Sequence, residues 1–328
     1  MKAFVLHSYG PPDTLDFTEI DTPVPGDDEV LVRVRATSVQ PYDWHLMRGE
    51  PYIARLMGGG PGLRKPKIAI LGADVAGQVE AVGKGVTEFR PDDEVFAMPK
   101  RGGFGEYVCV KASELAPKPE NLTFEQAAAV PLAAGTALIA LRDQGRLQPG
   151  QHVLVNGASG GVGTFAVQLA KAFGARVTGV CSTRNVDLVR SLGADEVVDY
   201  TKEDFTLNGQ VYDLLLDIAG SHAGSAYRRV LTRKGTLVIV GGRASRWLQP
   251  AGHAFSILAT APFVSQRVAL ADVIGCKQNK RNLLTLTELI EDGKVTPVID
   301  RSYPFAELPA AVRYSEEGHA PGKVVVAF

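Results

Sequence analysis

The rhythm of hydrophobic and polar positions changes once along the chain, near Thr123. Before it, apolar stretches are short: residues 1–6 and 29–39 alternate or run apolar, and Pro and Gly interrupt at 22–29, 58–62, 91 and 102–103. Short strands, frequent turns and almost no helical period predict an all-β unit over 1–122. After it, Thr123-Phe124-Glu125-Gln126 reads as a helix start, followed by an alanine-rich run to Leu141. Strands are then predicted at 152–155, 176–180, 196–198, 213–217 and 236–240, with helices between them. Such alternation of β and α predicts a doubly wound parallel sheet over 123–277. Residues 267–275 read as an edge strand and 282–290 as an amphipathic helix. The closing strand at 322–326 is expected to return to the β-rich unit, so that 278–328 completes it.

Residues 151–200 organise the second half. An apolar strand leads into Asn156-Gly157-Ala158-Ser159-Gly160-Gly161-Val162-Gly163, then a helix-period segment 164–173 closed by Gly174, then a second strand. In such a unit the glycines let the backbone approach a pyrophosphate, and the helix N-terminus offers it N–H groups and a positive dipole end. The first glycine of the usual G-x-G-x-x-G pattern is Ala158 here, but strand, helix and second strand stand at the required distances. The strands ending at Ile218-Ala219-Gly220 and Gly241-Gly242 are expected to point their carboxyl ends at the same crevice.

An NAD site places an acid after the second strand for the ribose 2′-OH. That place reads Ser182-Thr183-Arg184-Asn185, with no acid before Asp187. Two hydroxyls and a guanidinium suit a 2′-phosphate, so the expected coenzyme is NADPH; the other reading of Arg184 is a solvated helix-start residue. Lys202 is a further 2′-phosphate candidate, its other reading being a solvated lysine.

Composition narrows the partners. With 45% hydrophobic and 22% charged residues and a formal net charge of −1, neither disorder nor charge-driven binding to nucleic acid or anionic membrane is expected. Three scattered cysteines, Cys109, Cys181 and Cys276, fit a reducing compartment. No signal peptide or run of 18 apolar residues is read, so the expectation is a cytoplasmic protein. A bare edge strand at 267–275 would allow pairing with a second copy in a homodimer.

With both halves in view the chain resembles the medium-chain dehydrogenase/reductase superfamily, more narrowly its zinc-free quinone oxidoreductase (zeta-crystallin-like) branch. The resemblance rests on Ser38–Trp44 (SVQPYDW), Leu71–Gly77 (LGADVAG), Phe104–Tyr107 (FGEY), Gly157–Gly163, Leu192–Asp195 with Val198-Asp199-Tyr200, and Gly322–Val325. It implies a GroES-like β-barrel catalytic domain joined to a Rossmann domain, with the active site in the cleft between them. It also implies coenzyme contacts from Thr136, Gly157, Ser159, Gly160, Gly161, Val162, Gly163, Ser182, Arg184, Tyr200, Gly241, Gly242 and Lys323; Pro321 replaces the family's usual Arg, leaving His319 and Lys323 there.

Zinc-dependent relatives carry Cys where this chain has Gln40, and Gly-His-Glu where it has Gly72-Ala73-Asp74. A catalytic zinc needs three Cys, His or carboxylate ligands, so no metal is expected. Without that Lewis acid, acceptors that take hydride readily fit best: a quinone or, as the alternative, an enone or enal. A non-catalytic NADPH-binding sensor is the third reading. Gln40 is the first candidate donor to the acceptor oxygen, or else a ribose or loop contact. Tyr42, Asp43 and His45 are candidates for proton delivery, with surface, packing and helix-capping roles as their alternatives. Tyr52 and Trp247 would line a flat pocket or fill a core, and 243–266 would lie over the active site.

Overall fold

The computed structural model describes residues 1–55, 62–67, 69–242, 251–259 and 265–328. It divides into two compact units: Met1–Leu132 with Cys276–Glu291 and Pro297–Phe328, and Ala133–Gly275 with Asp292–Thr296. Among the described residues no helix is long and apolar enough to cross a membrane.

The first unit is built on the long strand Glu29–Val39. Asp74–Val82, Tyr107–Lys111 and Lys323–Ala327 all pair with it antiparallel. The sheet runs in the order Ile299–Pro304, Lys323–Ala327, Glu29–Val39, Asp74–Val82, Glu94–Ala97, Leu115–Pro117, so the closing strand returns to the β-rich unit. Val30, Val32 and Val34 pack with Val75, Val79 and Val95 in one core. A second core, containing Phe4, Val39, Met47, Leu71, Phe104 and Leu308, lies under the helices Pro41–Arg48 and Leu308–Glu316. Within this sheet Ser38 stands opposite both Asp74 and Val325, while Val39 stands opposite Val324. That register brings Gln40, Asp74 and Lys323 together.

The alanine-rich stretch is divided between the units. Thr123 caps the helix Phe124–Ala128: its Oγ1 accepts Gln126 N at 3.3 Å, and Gln126 Oε1 accepts Thr123 N at 3.0 Å. Pro131, which cannot continue a helix started upstream, opens a new one, Pro131–Leu138. The first of these helices packs on Glu29–Val39 and Asp74–Val82, so the units part after Leu132 rather than at 122, and Cys276 and Lys277 also join the first unit. Helical texture marks where a helix starts, not which sheet it covers.

The second unit holds six parallel strands in the order Glu196–Asp199, Arg176–Cys181, His152–Asn156, Tyr212–Asp217, Leu231–Ile239, Arg267–Leu270. Every predicted strand is present, the one at 236–240 beginning earlier, at Leu231. Arg267–Leu270 is an edge, as its pattern predicted, though shorter. The chain winds outward in both directions from the pair His152–Asn156 and Tyr212–Asp217, the topological switch point where such sheets open a crevice. The helix expected at 164–173 is Gly161–Ala172, and Gly174 after it takes the left-handed φ of +78°.

Candidate active site

In the parallel-sheet unit the glycine-rich turn is shaped by what is absent. Gly157 turns the chain away from its strand at φ +97°, a region that favours glycine. A Cβ on Gly163 would lie 2.1 Å from the carbonyl oxygen of Gly157, so only glycine lets the helix approach the turn. Gly160 caps the helix Gly161–Ala172 and brings no side chain over the N–H groups of Gly161, Val162 and Gly163. Free-facing N–H groups at a helix start are suited to a pyrophosphate, and the residues present fit a dinucleotide.

The neighbouring turns are stitched to this one. Ser182 precedes the turn Thr183–Asn185, and buried Asn185 donates through Nδ2 to Ser159 Oγ at 3.0 Å and to Ser182 Oγ at 3.4 Å. Arg184 is exposed beside them, and Tyr200, 61% exposed, follows the third strand. Lys202 Nζ lies 3.3 Å from Asp199 Oδ2. Ser159, Ser182, Arg184 and Tyr200 thus gather at the carboxyl ends of adjacent strands. Thr136 is buried in Pro131–Leu138.

At the switch point itself sits Asp217, wholly buried. Its Oδ1 accepts Asn156 Nδ2 at 2.9 Å, Gly220 N at 2.9 Å and the Tyr227 hydroxyl at 2.8 Å; His253 Nε2 lies 2.9 Å from Oδ2. Four partners match what a carboxylate can accept. The Tyr227 oxygen in turn accepts the backbone N–H groups of Ser221 and His222, both at 3.1 Å. Burial, then the Asp217 charge, pushes the Tyr227 phenol well above its usual range. This hub fastens the loop carrying Ala219 and, through Gly241 N on Asp217 O at 3.2 Å, the Gly241-Gly242 turn. The sequence singles out Ala219, Gly241 and Gly242 in these turns as candidates, but not Asp217, Tyr227 or His253 that hold them. The available signal was an acid closing an otherwise apolar strand.

The candidates of the β-rich unit lie in and around a buried ionic cluster. Helix capping, the alternative reading of Asp43, is what the geometry shows: the helix is Pro41–Arg48, with Pro at its first position. Asp43 is its third residue, and its Oδ2 reaches back to accept Gln40 N at 2.9 Å while Oδ1 accepts Gly72 N at 3.1 Å. Asp74 Oδ1 accepts Leu132 N at 2.9 Å, and Oδ2 accepts Ser38 Oγ at 2.9 Å together with the Gln40 amide. Burial, then Asp74, pushes the Asp43 carboxyl up to about 7; burial pushes Asp74 up to about 6 against the opposing pull of Lys323. Burial lowers Lys323, and the two carboxylates oppose that.

Two assignments read differently in this geometry. The Gln40 amide, 2% exposed, donates to Ser38 Oγ at 3.0 Å and to Asp74 Oδ2; both its N–H groups are taken up, leaving none to direct at an acceptor oxygen. Lys323, expected to touch the coenzyme, is 3% exposed. Its Nζ donates to Gln40 Oε1 and lies 4.0 Å from Asp74 Oδ2. Its partners are inside the β-rich unit, 283 positions away in the case of Gln40.

Tyr42 is half-buried, and desolvation followed by the Asp43 charge raises its phenol pKa, which keeps the proton on at neutral pH. His45 packs on Trp44 with ring centroids 3.9 Å apart; burial lowers its pKa, and its Nδ1 is buried without a hydrogen-bond partner. Tyr52 lies under the Arg55 guanidinium, 4.7 Å from ring to cation, and His319 is exposed. Trp247 and most of 243–266 lie outside the described residues; the described part includes the helix Ala251–Leu258, which carries His253.

Around Gln40 and Ala73 the donors are an amide already bonded and a methyl group, and Asp74 has its oxygens engaged. This set does not fit a catalytic zinc. Among the described residues no group of three or more His, Cys, Asp or Glu is arranged to hold a metal ion.

Known proteins place this architecture. Residues 192–326 match the family described as zinc-binding dehydrogenase, and 26–120 the alcohol dehydrogenase GroES-like domain. The chain is 36% identical to the mitochondrial NAD(P)H oxidoreductase RTN4IP1 of Mus musculus, with 99% of this chain and 89% of that protein covered. It is 33% identical to the chloroplast envelope quinone oxidoreductase homolog of Arabidopsis thaliana, with 99% and 98% covered. The solved quinone oxidoreductase of Coxiella burnetii matches with a TM-score of 0.84 at 29% identity, covering 100% of this chain and 99% of its own. The β-rich unit is therefore a GroES-like domain and the parallel-sheet unit a Rossmann-like one. The chain is an oxidoreductase, and it belongs to the medium-chain dehydrogenase/reductase superfamily, in the zinc-free quinone oxidoreductase branch.

Proposed function

We propose that this protein reduces a quinone with NADPH and without a metal. The observation that carries the reading is the glycine-built helix start of the Rossmann-like unit, flanked by a hydroxyl- and arginine-bearing turn instead of an acid. NADPH, when bound, supplies the hydride. The backbone N–H groups of Gly161–Gly163 hold its pyrophosphate, and Ser182, Arg184 and Lys202 hold its 2′-phosphate. In the GroES-like unit Tyr42, kept protonated by burial, is the group suited to donate to the acceptor oxygen as charge develops there. His45 stays neutral. The Asp43–Asp74–Lys323 cluster holds Gln40 and the start of the Tyr42 helix in place. The proposal includes a cytoplasmic location and a homodimer paired along Arg267–Leu270, the latter checked by sedimentation.

The test follows coenzyme oxidation by the purified protein with 1,4-naphthoquinone and with a 2-alkenal, with and without a chelator. The expected outcome is faster turnover of the quinone, preference for NADPH over NADH, and no loss on chelation. Faster alkenal turnover transfers the reading to C=C reduction. NADPH binding without turnover across acceptors makes the protein a sensor, and loss of turnover on chelation overturns the metal-free mechanism.

A further inference from the structure

Asp199 is the last residue of its strand and pairs in register with Cys181, the last residue of the neighbouring strand. Its side chain therefore meets the turn that follows the second strand, where a dinucleotide's adenosine ribose is held in folds of this kind. An acid at such a place could accept the ribose 2′-OH and favour NADH, so its bonding decides the question. Oδ2 accepts the Thr183 hydroxyl at 2.6 Å and faces Lys202 Nζ at 3.3 Å. Oδ1 accepts the Thr201 hydroxyl at 2.7 Å and Thr201 N at 3.0 Å. A carboxylate offers about four acceptor positions, and all four are occupied. Asp199 is 8% exposed, and its hydroxyl bonds, Thr183 first, hold its carboxyl well below the usual range.

We infer that Asp199 is a positioning residue for coenzyme choice: it withholds itself from a ribose 2′-OH and, by taking up the Thr183 and Thr201 hydroxyl protons, fixes the two turns that present Ser182, Arg184 and Lys202 to a 2′-phosphate. The inference rests on the proposal that this unit binds NADPH, and it names a residue in that choice which the ribose-contact pattern omits. Thr183 lies between Ser182 and Arg184, so the Asp199–Thr183 bond sets the conformation of the whole turn. Asn185 ties the far end of the same turn to Ser159. The Thr183 and Thr201 hydroxyl oxygens approach each other to 2.9 Å, so the same carboxylate draws the two turns together. A bare carboxylate would repel a phosphate dianion; here the Lys202 ammonium offsets its charge.

The experiment measures calorimetric binding of 2′,5′-ADP and 5′-AMP to the full-length protein, with kcat and KM for NADPH and NADH alongside. Asp199→Asn, Thr183→Val and Thr183→Ser are compared with the unaltered chain. The unaltered protein is expected to bind 2′,5′-ADP at least about tenfold tighter than 5′-AMP. Asp199→Asn and Thr183→Val should each weaken 2′,5′-ADP about three- to tenfold, the scale of one ordinary hydrogen bond, and leave 5′-AMP within about twofold. Thr183→Ser, which keeps the hydroxyl, should restore the preference. KM for NADPH should rise with kcat unchanged. Unchanged or tighter 2′,5′-ADP binding in both weakened variants overturns the inference, and so does an equal loss of both nucleotides, which would mark a merely structural role. If the unaltered protein does not separate the two nucleotides, the NADPH proposal itself fails. If it does and the variants do too, that proposal stands and only the role of Asp199 is lost. Should Asp199→Asn not fold, the Thr183 pair decides alone.

Discussion

Asp74 and Asp217 are both sealed from water, one in the GroES-like unit and one in the Rossmann-like unit, and they are stabilised in different ways. Asp217 is surrounded by donors: an amide, a backbone N–H, a phenol and an imidazole. Asp74 instead shares its surroundings with a second buried carboxyl, Asp43, and a buried ammonium, Lys323. Two carboxyls against one cation leave an excess negative charge that burial disfavours, which is why both carboxyls titrate far above their ordinary range. A buried acid completed by four donors fixes a loop. A buried acid sharing one cation with another acid holds a proton near neutral pH as well.

The largest expected effect comes from removing the shared cation. Lys323→Met should destabilise the GroES-like unit by about 3–5 kcal/mol, because a buried pair loses one partner. Urea unfolding with hydrogen exchange resolved to each unit would show it, and a loss confined to the Rossmann-like unit would contradict the assignment of Lys323 to this cluster.

The pH dependence sharpens the same contrast. Asp43 near 7 and Asp74 near 6 lie above the ordinary carboxyl value, so the folded state keeps protons that the unfolded chain releases near pH 4. Their contribution is full below pH 4 and declines as pH rises through 6 and 7. The GroES-like unit is therefore expected to lose about 4 kcal/mol between pH 5 and pH 8 from this source. Asp43→Asn should flatten that slope in unfolding titrations. A rise in its stability over the interval in the unaltered chain would invert the sign and reject the shared-proton account.

The smallest effect tests the other side. Tyr227→Phe leaves Asp217 without one donor and the N–H groups of Ser221 and His222 without their acceptor, at a cost of about 1–3 kcal/mol. Because the phenol stays protonated well past neutrality, this loss should be the same at pH 5 and pH 8. Faster hydrogen exchange at Ser221 and His222 in the variant would locate it; unchanged exchange there would separate Tyr227 from the loop.

Much of the Rossmann-like unit was readable because its constraints are local. Gly157, Gly163 and Gly174 are demanded by turns within a few residues of themselves. The NADPH expectation came from an absent acid after the second strand. The acid that bears on it, Asp199, ends the third strand, and its bond to Thr183 spans 16 positions. Asn185, Asp217 and Tyr227 escaped notice for the same reason: their decisive partners are brought by neighbouring strands.

The GroES-like unit shows the limit more sharply. Gln40, Asp43 and Asp74 could be singled out by motif, and Lys323 by its place near the end of the chain, but Gln40 and Lys323 were read as facing a substrate or coenzyme and Asp74 only as standing in a zinc ligand's place. The strand register that sets Ser38 opposite Asp74, and Val39 opposite Val324, turned those groups on one another. The order of residues by itself determined the two kinds of sheet, the glycine turn and the missing metal ligands, since backbone geometry and donor chemistry belong to single residues and near neighbours. Which polar groups face a ligand and which consume one another was decided only when strands far apart in the chain were paired, because a hydrogen bond depends on distance in space.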